Sequence, residues 1–239
     1  MNYRKLTAAA FSLAIASSAA HAGFHVMQIE QFIGGLNGDK TAQAIQLRLR
    51  GAGQTIVSAS RLKAYDAAGA NPVLLLDITT NVANGSVGDN ILIASPSFNI
   101  IMAAVGGYAS DFTLASVVPA SYLTGGKVTF EDDSGTIYWS LAFGAYTGSN
   151  AGNTTNDADG NFGAPAAAPP TNARQGLLFP GAASAGSTTN QADYSLSANP
   201  ATVRNNARNS FVVAPEPTTA AMLALGGLAG LAFFRRRQG

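Results

Sequence analysis

The stretch that decides the fold is Lys127–Phe143, which reads KVTFEDDSGTIYWSLAF. Its two flanks are rich in β-branched and aromatic residues, which favour strands. Between the flanks, Asp132–Gly135 combines turn-forming Asp and Ser side chains with a glycine that can adopt a positive φ. The pattern predicts a β-hairpin, and we expect its tryptophan, Trp139, to anchor the core of the protein.

The clearest alternation upstream of this hairpin is Ile45–Arg50, which reads IQLRLR. A period of two is typical of a strand with one buried face. We therefore expect Ile45, Leu47 and Leu49 in the core and Gln46, Arg48 and Arg50 in solvent. Val73–Thr79 is more continuously apolar, which predicts a strand covered on both faces. Further strands are predicted at Phe24–Ile33, Arg61–Asp66, Ile91–Ala94 and Ser210–Val213.

Short strands, frequent turns and the lack of a long amphipathic pattern predict a mainly β protein with a single antiparallel β-sandwich. Periodicity leaves Phe98–Ala104 open between a strand and a short helix. The opening segment, the strand Gln46–Arg50 and the later loop Asn156–Gly160 resemble the lamin-tail type of sandwich. That resemblance implies an immunoglobulin-like (Ig-like) domain over residues 23–213.

The apolar pattern stops between Gly144 and Asp193. Residues 144–193 are too many for an ordinary connection, so they predict a large surface loop or a partly disordered segment. One apolar island, Gly176–Pro180, interrupts the stretch, and we expect Leu178 and Phe179 to dock on the sheet.

Candidate catalytic groups are scarce. The chain has no cysteine, and His25 is its one histidine after residue 22. Catalytic triads and zinc sites therefore lack their usual ligands and bases. Three adjacent acids, Glu131–Asp133, are expected at a solvated hairpin tip. A hydrolase of unrecognised type stays a second alternative, and it requires a pocket that holds two or more of Asp77, Asp111, Glu131, Asp132 and Asp133.

One segment has the chemistry of a metal loop. Asn156–Asn161 alternates acidic and amide oxygens before a glycine, as in the first half of a calcium loop. Asp157 and Asp159 fall on ligand positions, but Thr155 and Ala166 stand where stronger ligands belong. The segment is either an ordinary Asx-rich loop or a Ca²⁺ site completed by distant residues.

The N-terminal residues 1–22 predict a Sec-type signal peptide. Arg4 and Lys5 precede the apolar helix of Leu6–Ala20, and Ala20-His21-Ala22 is an A-x-A cleavage site. Cleavage after Ala22 during export through the Sec translocon would leave Gly23 as the new N-terminal residue.

The C-terminal residues 214–239 have three parts in a fixed order: Pro215-Glu216-Pro217, the apolar run Ala220–Phe234, and Arg235-Arg236-Arg237. The run predicts a short transmembrane helix in the inner membrane, with the arginines on the cytoplasmic side. A plain membrane anchor would have the same run and arginines. The order and spacing resemble the PEP-CTERM signal of Gram-negative bacteria. That resemblance implies cleavage near Pro-Glu-Pro by an exosortase, a membrane-embedded transpeptidase, and delivery to the cell surface or extracellular matrix.

The charge of the remaining body excludes some partners. Five of the 14 basic residues (Arg4, Lys5 and Arg235–Arg237) and one of the 13 acidic residues (Glu216) lie in the two ends, which leaves a net charge of −3. This balance disfavours nucleic acid as a partner. We expect an exported, non-catalytic structural or binding protein. The alternative is a polysaccharide-binding module of the matrix, with Tyr65, Tyr108, Tyr122 and Tyr146 as the candidate aromatic residues.

Overall fold

The computed structural model describes residues 23–104, 106–107, 109–149 and 163–213. These residues are mainly β, as predicted. Two helices are present among them, α1 (Pro96–Ala104) and α2 (Asn190–Asp193). The strands are β1 (Met27–Ile33), β2 (Ala44–Leu49), β3 (Ser60–Tyr65), β4 (Val73–Ile78), β5 (Asn90–Ala94), β6 (Phe112–Thr113), β7 (Gly125–Asp132), β8 (Ile137–Gly144), β9 (Leu177–Leu178), β10 (Ser195–Leu196), β11 (Thr202–Arg204) and β12 (Ser210–Val212).

Two sheets share one hydrophobic core. The first has the order β10-β9-β1-β2-β5-β6 and the second the order β4-β3-β7-β8. Neighbouring strands are antiparallel, except for the parallel pair β5–β6. Ile29 and Leu47 of the first sheet belong to the same buried cluster as Phe130 and Trp139 of the second. A separate hairpin, β11–β12, lies outside both sheets.

The predicted hairpin is confirmed as β7 and β8. Gly135 has a φ of 96° in the turn, a conformation that favours glycine. Trp139 is fully buried, and its indole Nε1 donates a hydrogen bond to the Tyr194 hydroxyl at 2.7 Å. Tyr194 in turn donates to the carbonyl of Ile29 in the first sheet. The tryptophan is therefore the core anchor that its sequence position predicted.

The prediction that one face of β2 is open to solvent is wrong. Gln46 and Arg48 are buried together with the apolar side chains of the strand, and Arg50 is half-buried. A second cluster covers the other side of this sheet, where Phe98 and Met102 of α1 pack with Val203 of β11. Alternation along β2 therefore separates an apolar interior face from a polar face that is also covered.

The prediction for Val73–Thr79 is also wrong. Its strand, β4, lies at the edge of the four-stranded sheet, where Leu74 is 46% exposed while Leu75 and Ile78 are buried. Leu75 and Ile78 belong to the shared core, whereas Leu74 lies outside it, so the continuous apolar run did not ensure cover on both faces.

The ambiguous segment near residue 98 is helical. Pro96 stands at the first helical position, where its missing N–H costs nothing. Ser95 Oγ accepts a hydrogen bond from the backbone N–H of Phe98 at 3.2 Å, which is the geometry of an N-cap. These two capping signals decide for helix.

The described part of 144–193 is held to the sheets by several contacts, two of which lie beside β1 and β8. Leu177 and Phe179 are buried beside β1, whereas Leu178 is half-buried; Phe179 therefore docks as predicted, with Leu177 in place of Leu178. Side chains two residues apart share one face of a strand. Ala166 N donates to the carbonyl of Ala142 at 2.9 Å, which fixes a second point beside β8.

None of the helices in the described ranges is long and apolar enough to cross a membrane. The predicted signal helix and transmembrane helix fall on residues that these ranges do not include.

Candidate functional site

The outer face of the four-stranded sheet carries most of the candidate polar side chains. In the register of β3 and β7, Arg61 lies opposite Glu131 and Tyr65 lies opposite Lys127. The Glu131 carboxylate is 2.7 Å from Arg61 Nε and 2.6 Å from Lys63 Nζ, and its side chain is buried. The hydrogen bond to Glu131 raises the pKa of Arg61. The sequence prediction of a solvated acidic tip is therefore wrong for Glu131, because the residue lies inside the β7 ladder, before the turn.

Asp132 is a structural acceptor of the hairpin turn. Its carboxylate accepts hydrogen bonds from Ser134 Oγ at 2.6 Å, the Thr136 backbone N–H at 2.8 Å and the Tyr138 hydroxyl at 3.1 Å. Burial acts to raise the pKa of Asp132, but the hydrogen bonds outweigh it and lower the value to about 2. Asp133, by contrast, has an exposed side chain, as predicted for the tip.

Acid should destabilise the protein partly through Asp132. A carboxyl whose pKa is depressed on folding adds stability that is complete above the unfolded pKa of 3.8 and is lost as the pH falls towards about 2. We expect Asp132→Asn to lower the free energy of unfolding at pH 7 by up to about 2 kcal/mol, and to flatten the loss of stability between about pH 5 and 2. Urea unfolding across this pH range measures both effects. Asp133→Asn is the control, and an equal change in that variant would contradict the role of Asp132.

Two of the candidate tyrosines meet at the other end of this face. Lys127 Nζ lies 5.0 Å from the ring centroid of Tyr65 and 5.4 Å from that of Tyr146. Burial lowers the pKa of Lys127. Tyr146 is buried, and its hydroxyl donates to the carbonyl of Ser149 at 3.0 Å. The lysine is therefore enclosed by aromatic rings in a cation–π arrangement.

These tyrosines do not form an open aromatic platform. Tyr65 and Tyr122 are half-buried, and the Tyr122 hydroxyl donates to the carbonyl of Asn71 at 2.9 Å. Tyr108 lies outside the described residues. Flat stacking of sugar rings needs exposed ring faces, which the packed tyrosines offer only in part.

A separate pocket of about 280 Å³ includes Asp111 in its lining. Asp111 Oδ2 accepts backbone hydrogen bonds from Leu92 at 2.7 Å and Asn206 at 2.8 Å. Burial raises the pKa of Asp111. Of the five acids considered for a hydrolase, this pocket brings in Asp111 alone, since Asp77 is exposed on β4 and the other three belong to the β7–β8 hairpin.

Sequence reasoning missed a buried polar cluster on the first sheet. Arg48 donates to Gln28 Oε1 from Nε at 3.0 Å and from Nη2 at 2.8 Å, and it pairs with Glu30 at 2.8 Å. Glu30 also accepts from Gln46 Nε2 at 2.7 Å, and the Arg48 guanidinium lies 5.6 Å from the ring centroid of Phe179. The opposite charges on the polar faces of β1 and β2 were the available signal. Arg48, Glu30 and Gln46 also bond to Ala182, Asn90 and Arg204 around them, whereas Gln28 Nε2 is buried without a partner among the described residues. The charged groups of the cluster are paired, which is typical of a structural role.

The described parts of the chain offer no cluster of ligands that could complete the predicted Ca²⁺ site. No group of three or more His, Asp or Glu side chains there could hold an ion. Asp157 and Asp159 lie outside the described residues. His25 is exposed near the Tyr138 ring, at a centroid distance of 6.3 Å.

The comparisons with known proteins concern the end of the chain. Residues 213–237 match the PEP-CTERM protein-sorting motif. No curated protein and no solved structure matches the chain, so the Ig-like resemblance gains no support from a relative. The match includes Pro215-Glu216-Pro217 and Arg235-Arg236-Arg237, the residues predicted for sorting, whereas Ala20 and Ala22 lie outside both the match and the described residues. The chain therefore carries the PEP-CTERM sorting signal of an exported exosortase substrate.

Proposed function

We propose that this protein is a non-catalytic structural or binding component of the outer cell surface or extracellular matrix. The observation that carries the proposal is the sorting motif at residues 213–237. A membrane-anchored precursor is cut by the exosortase, and the β body is the product that is delivered. The signal peptide predicted at residues 1–22 starts this route.

The hydrogen bonds and ion pairs made by the acidic side chains support a non-catalytic role. A catalytic carboxylate must reach the proton or carbon on which it acts. Five partly or fully buried acids are instead engaged with arginine, lysine or the backbone: Glu30 with Arg48, Asp89 with Arg208, Glu131 with Arg61 and Lys63, Asp111 with two backbone N–H groups, and Asp132 with its own turn. These bonds connect neighbouring strands within each sheet and fix the adjoining turns and connections.

The order of the strands supports an Ig-like sandwich as the finer description of the fold. Strands β1, β2 and β5 are neighbours in the first sheet, and β4, β3, β7 and β8 form the second. A constant-type immunoglobulin domain places its first, second, fifth and fourth strands opposite its third, sixth and seventh. When β6 and the short strands β9–β12 are set aside, seven strands remain, and they divide between two sheets as in that domain except that the fourth strand, β4, joins the sheet of β3, β7 and β8.

Processing at both ends is the test of this function. Intact-mass measurement on protein recovered from the native host should show a chain that begins at Gly23 and lacks Arg235–Arg237. Glu216→Ala should leave the tail uncut, because it alters the sorting motif, while Gln238→Ala, outside the matched residues, should be processed normally. Recovery of the unchanged protein with its tail intact would reduce the signal to a simple anchor.

A further inference from the structure

The body of the protein ends in a defined place. Val213, the last described residue, is buried, and its backbone N–H donates to the carbonyl of Ala201 at 2.8 Å. Its side chain belongs to the cluster that contains Phe98 and Met102 of α1. The sorting tail therefore leaves the body beside α1 and the β11–β12 hairpin, on the side of the six-stranded sheet that faces away from the four-stranded sheet.

Chain length holds this side close to the membrane before cleavage. Six residues, 214–219, separate Val213 from the apolar run Ala220–Phe234. Even a fully extended connection spans at most about 25 Å from Val213 to Ala220. In the anchored precursor, the exit point of the tail thus stays within that distance of the bilayer. The four-stranded sheet is separated from the exit point by the six-stranded sheet and the core that the two sheets share.

Exposed apolar side chains lie on both elements beside the exit point, while the turn of the β11–β12 hairpin carries the exposed Arg208. Ile100 of α1 is 70% exposed and Val212 of β12 is 49% exposed, and Ala103 and Ala104 are also exposed. The helix has the sequence PSFNIIMAA, with no charged residue. We call Ile100, Ala103, Ala104 and Val212 the α1–β12 surface. Exposed apolar side chains next to a membrane tether fit the boundary between lipid headgroups and acyl chains.

We propose that the α1–β12 surface rests on the lipid bilayer in the anchored precursor and orients the Pro-Glu-Pro segment towards the exosortase. The proposal rests on the membrane-anchored precursor of the proposed function. So few side chains bury too little apolar area for lasting attachment by themselves. The tether supplies a high effective concentration, which makes the weak contact sufficient. Cleavage removes the tether, and the contact of this surface with lipid is then too weak to retain the released protein.

The natural lack of cysteine allows a direct test. A single cysteine introduced by Ile100→Cys can be labelled with an environment-sensitive fluorophore without competing sites. The full-length precursor is reconstituted in phosphatidylethanolamine–phosphatidylglycerol vesicles, with and without doxyl-labelled lipid as quencher. Leu74→Cys is the matched control, because Leu74 is an exposed apolar residue on β4 of the other sheet. We expect the quencher to cause loss of fluorescence at position 100 and retention at position 74.

The outcomes separate the orientation from the anchoring. Equal quenching at the two positions, in precursor that floats with the vesicles, would overturn the orientation alone. Failure of the unlabelled precursor to float would overturn the anchored precursor and the orientation together. Both positions are exposed, so the two variants should melt like the parent protein, and a melt of each labelled sample verifies that the comparison is made on folded protein.

Discussion

Leu47→Asp is expected to unfold the body of the protein. Leu47 is completely buried on β2, between its cross-strand partners Ile29 and Ile91, in the core that the two sheets share. Aspartate at this position would bury an unpaired charge. Even if the carboxyl group takes up a proton, burying it without hydrogen-bond partners costs several kcal/mol. That cost is comparable with the whole stability of a domain, about 5–15 kcal/mol. Circular dichroism during thermal unfolding should show loss of the cooperative transition.

Leu74→Asp is the matched control for this experiment. It places the same charge on a strand of the second sheet, but at an exposed position at the sheet edge. Surface changes of this kind usually alter the free energy of unfolding by less than about 0.5 kcal/mol. A cooperative transition that survives Leu47→Asp, or one that is lost equally in Leu74→Asp, would contradict the assignment of the core.

Arg48→Ser is expected to lower the free energy of unfolding by about 3–5 kcal/mol. Alternation along β2 predicted a solvent-exposed arginine, and substitution of an exposed residue usually has a small effect. In the structure the arginine is buried, and its loss would leave the Glu30 carboxylate without its cationic partner and Gln28 Oε1 without its donor. Removing one partner of a buried ion pair is costly because the remaining charge stays desolvated. Urea unfolding at neutral pH measures the change.

Two further variants make this result specific. Glu30→Gln in the Arg48→Ser background should cost less than the sum of the two single changes, because the residues share one network. Lys40→Ser removes an exposed positive charge and should have little effect on stability. If Arg48→Ser behaves like Lys40→Ser, the polar face of β2 is open to solvent and the cover seen in the structure does not form.

Local patterns predicted the elements whose stabilising contacts are close in sequence. The β7–β8 hairpin is of this kind, since Asp132 accepts from Ser134 and Thr136 within its own turn. The same patterns did not predict which elements cover one another. Arg48 contacts the Phe179 ring and the Ala182 carbonyl, which lie more than a hundred residues further along the chain. The alternation along β2 carries no information about those contacts.

The candidate site divides in the same way. The sorting motif is a short linear signal, so it could be recognised without any knowledge of the fold, and a PEP-CTERM protein-sorting motif is found at residues 213–237. The acids of the hairpin could not be assigned from their spacing. Glu131 and Asp132 are adjacent, yet one is buried between Arg61 and Lys63 of another strand and the other closes a turn.

The sequence alone therefore determined that the chain is mainly β, that Trp139 anchors its core, and that its C-terminal end carries a sorting signal. Each of these depends on residue types within a few positions of one another. Only the tertiary structure decided that both faces of β2 are covered, that β4 is an edge strand, and that the tail leaves beside the exposed Ile100 of α1. The physical reason is that burial depends on contacts between segments far apart in the chain, and a local period reports the face of a strand but not what lies over it.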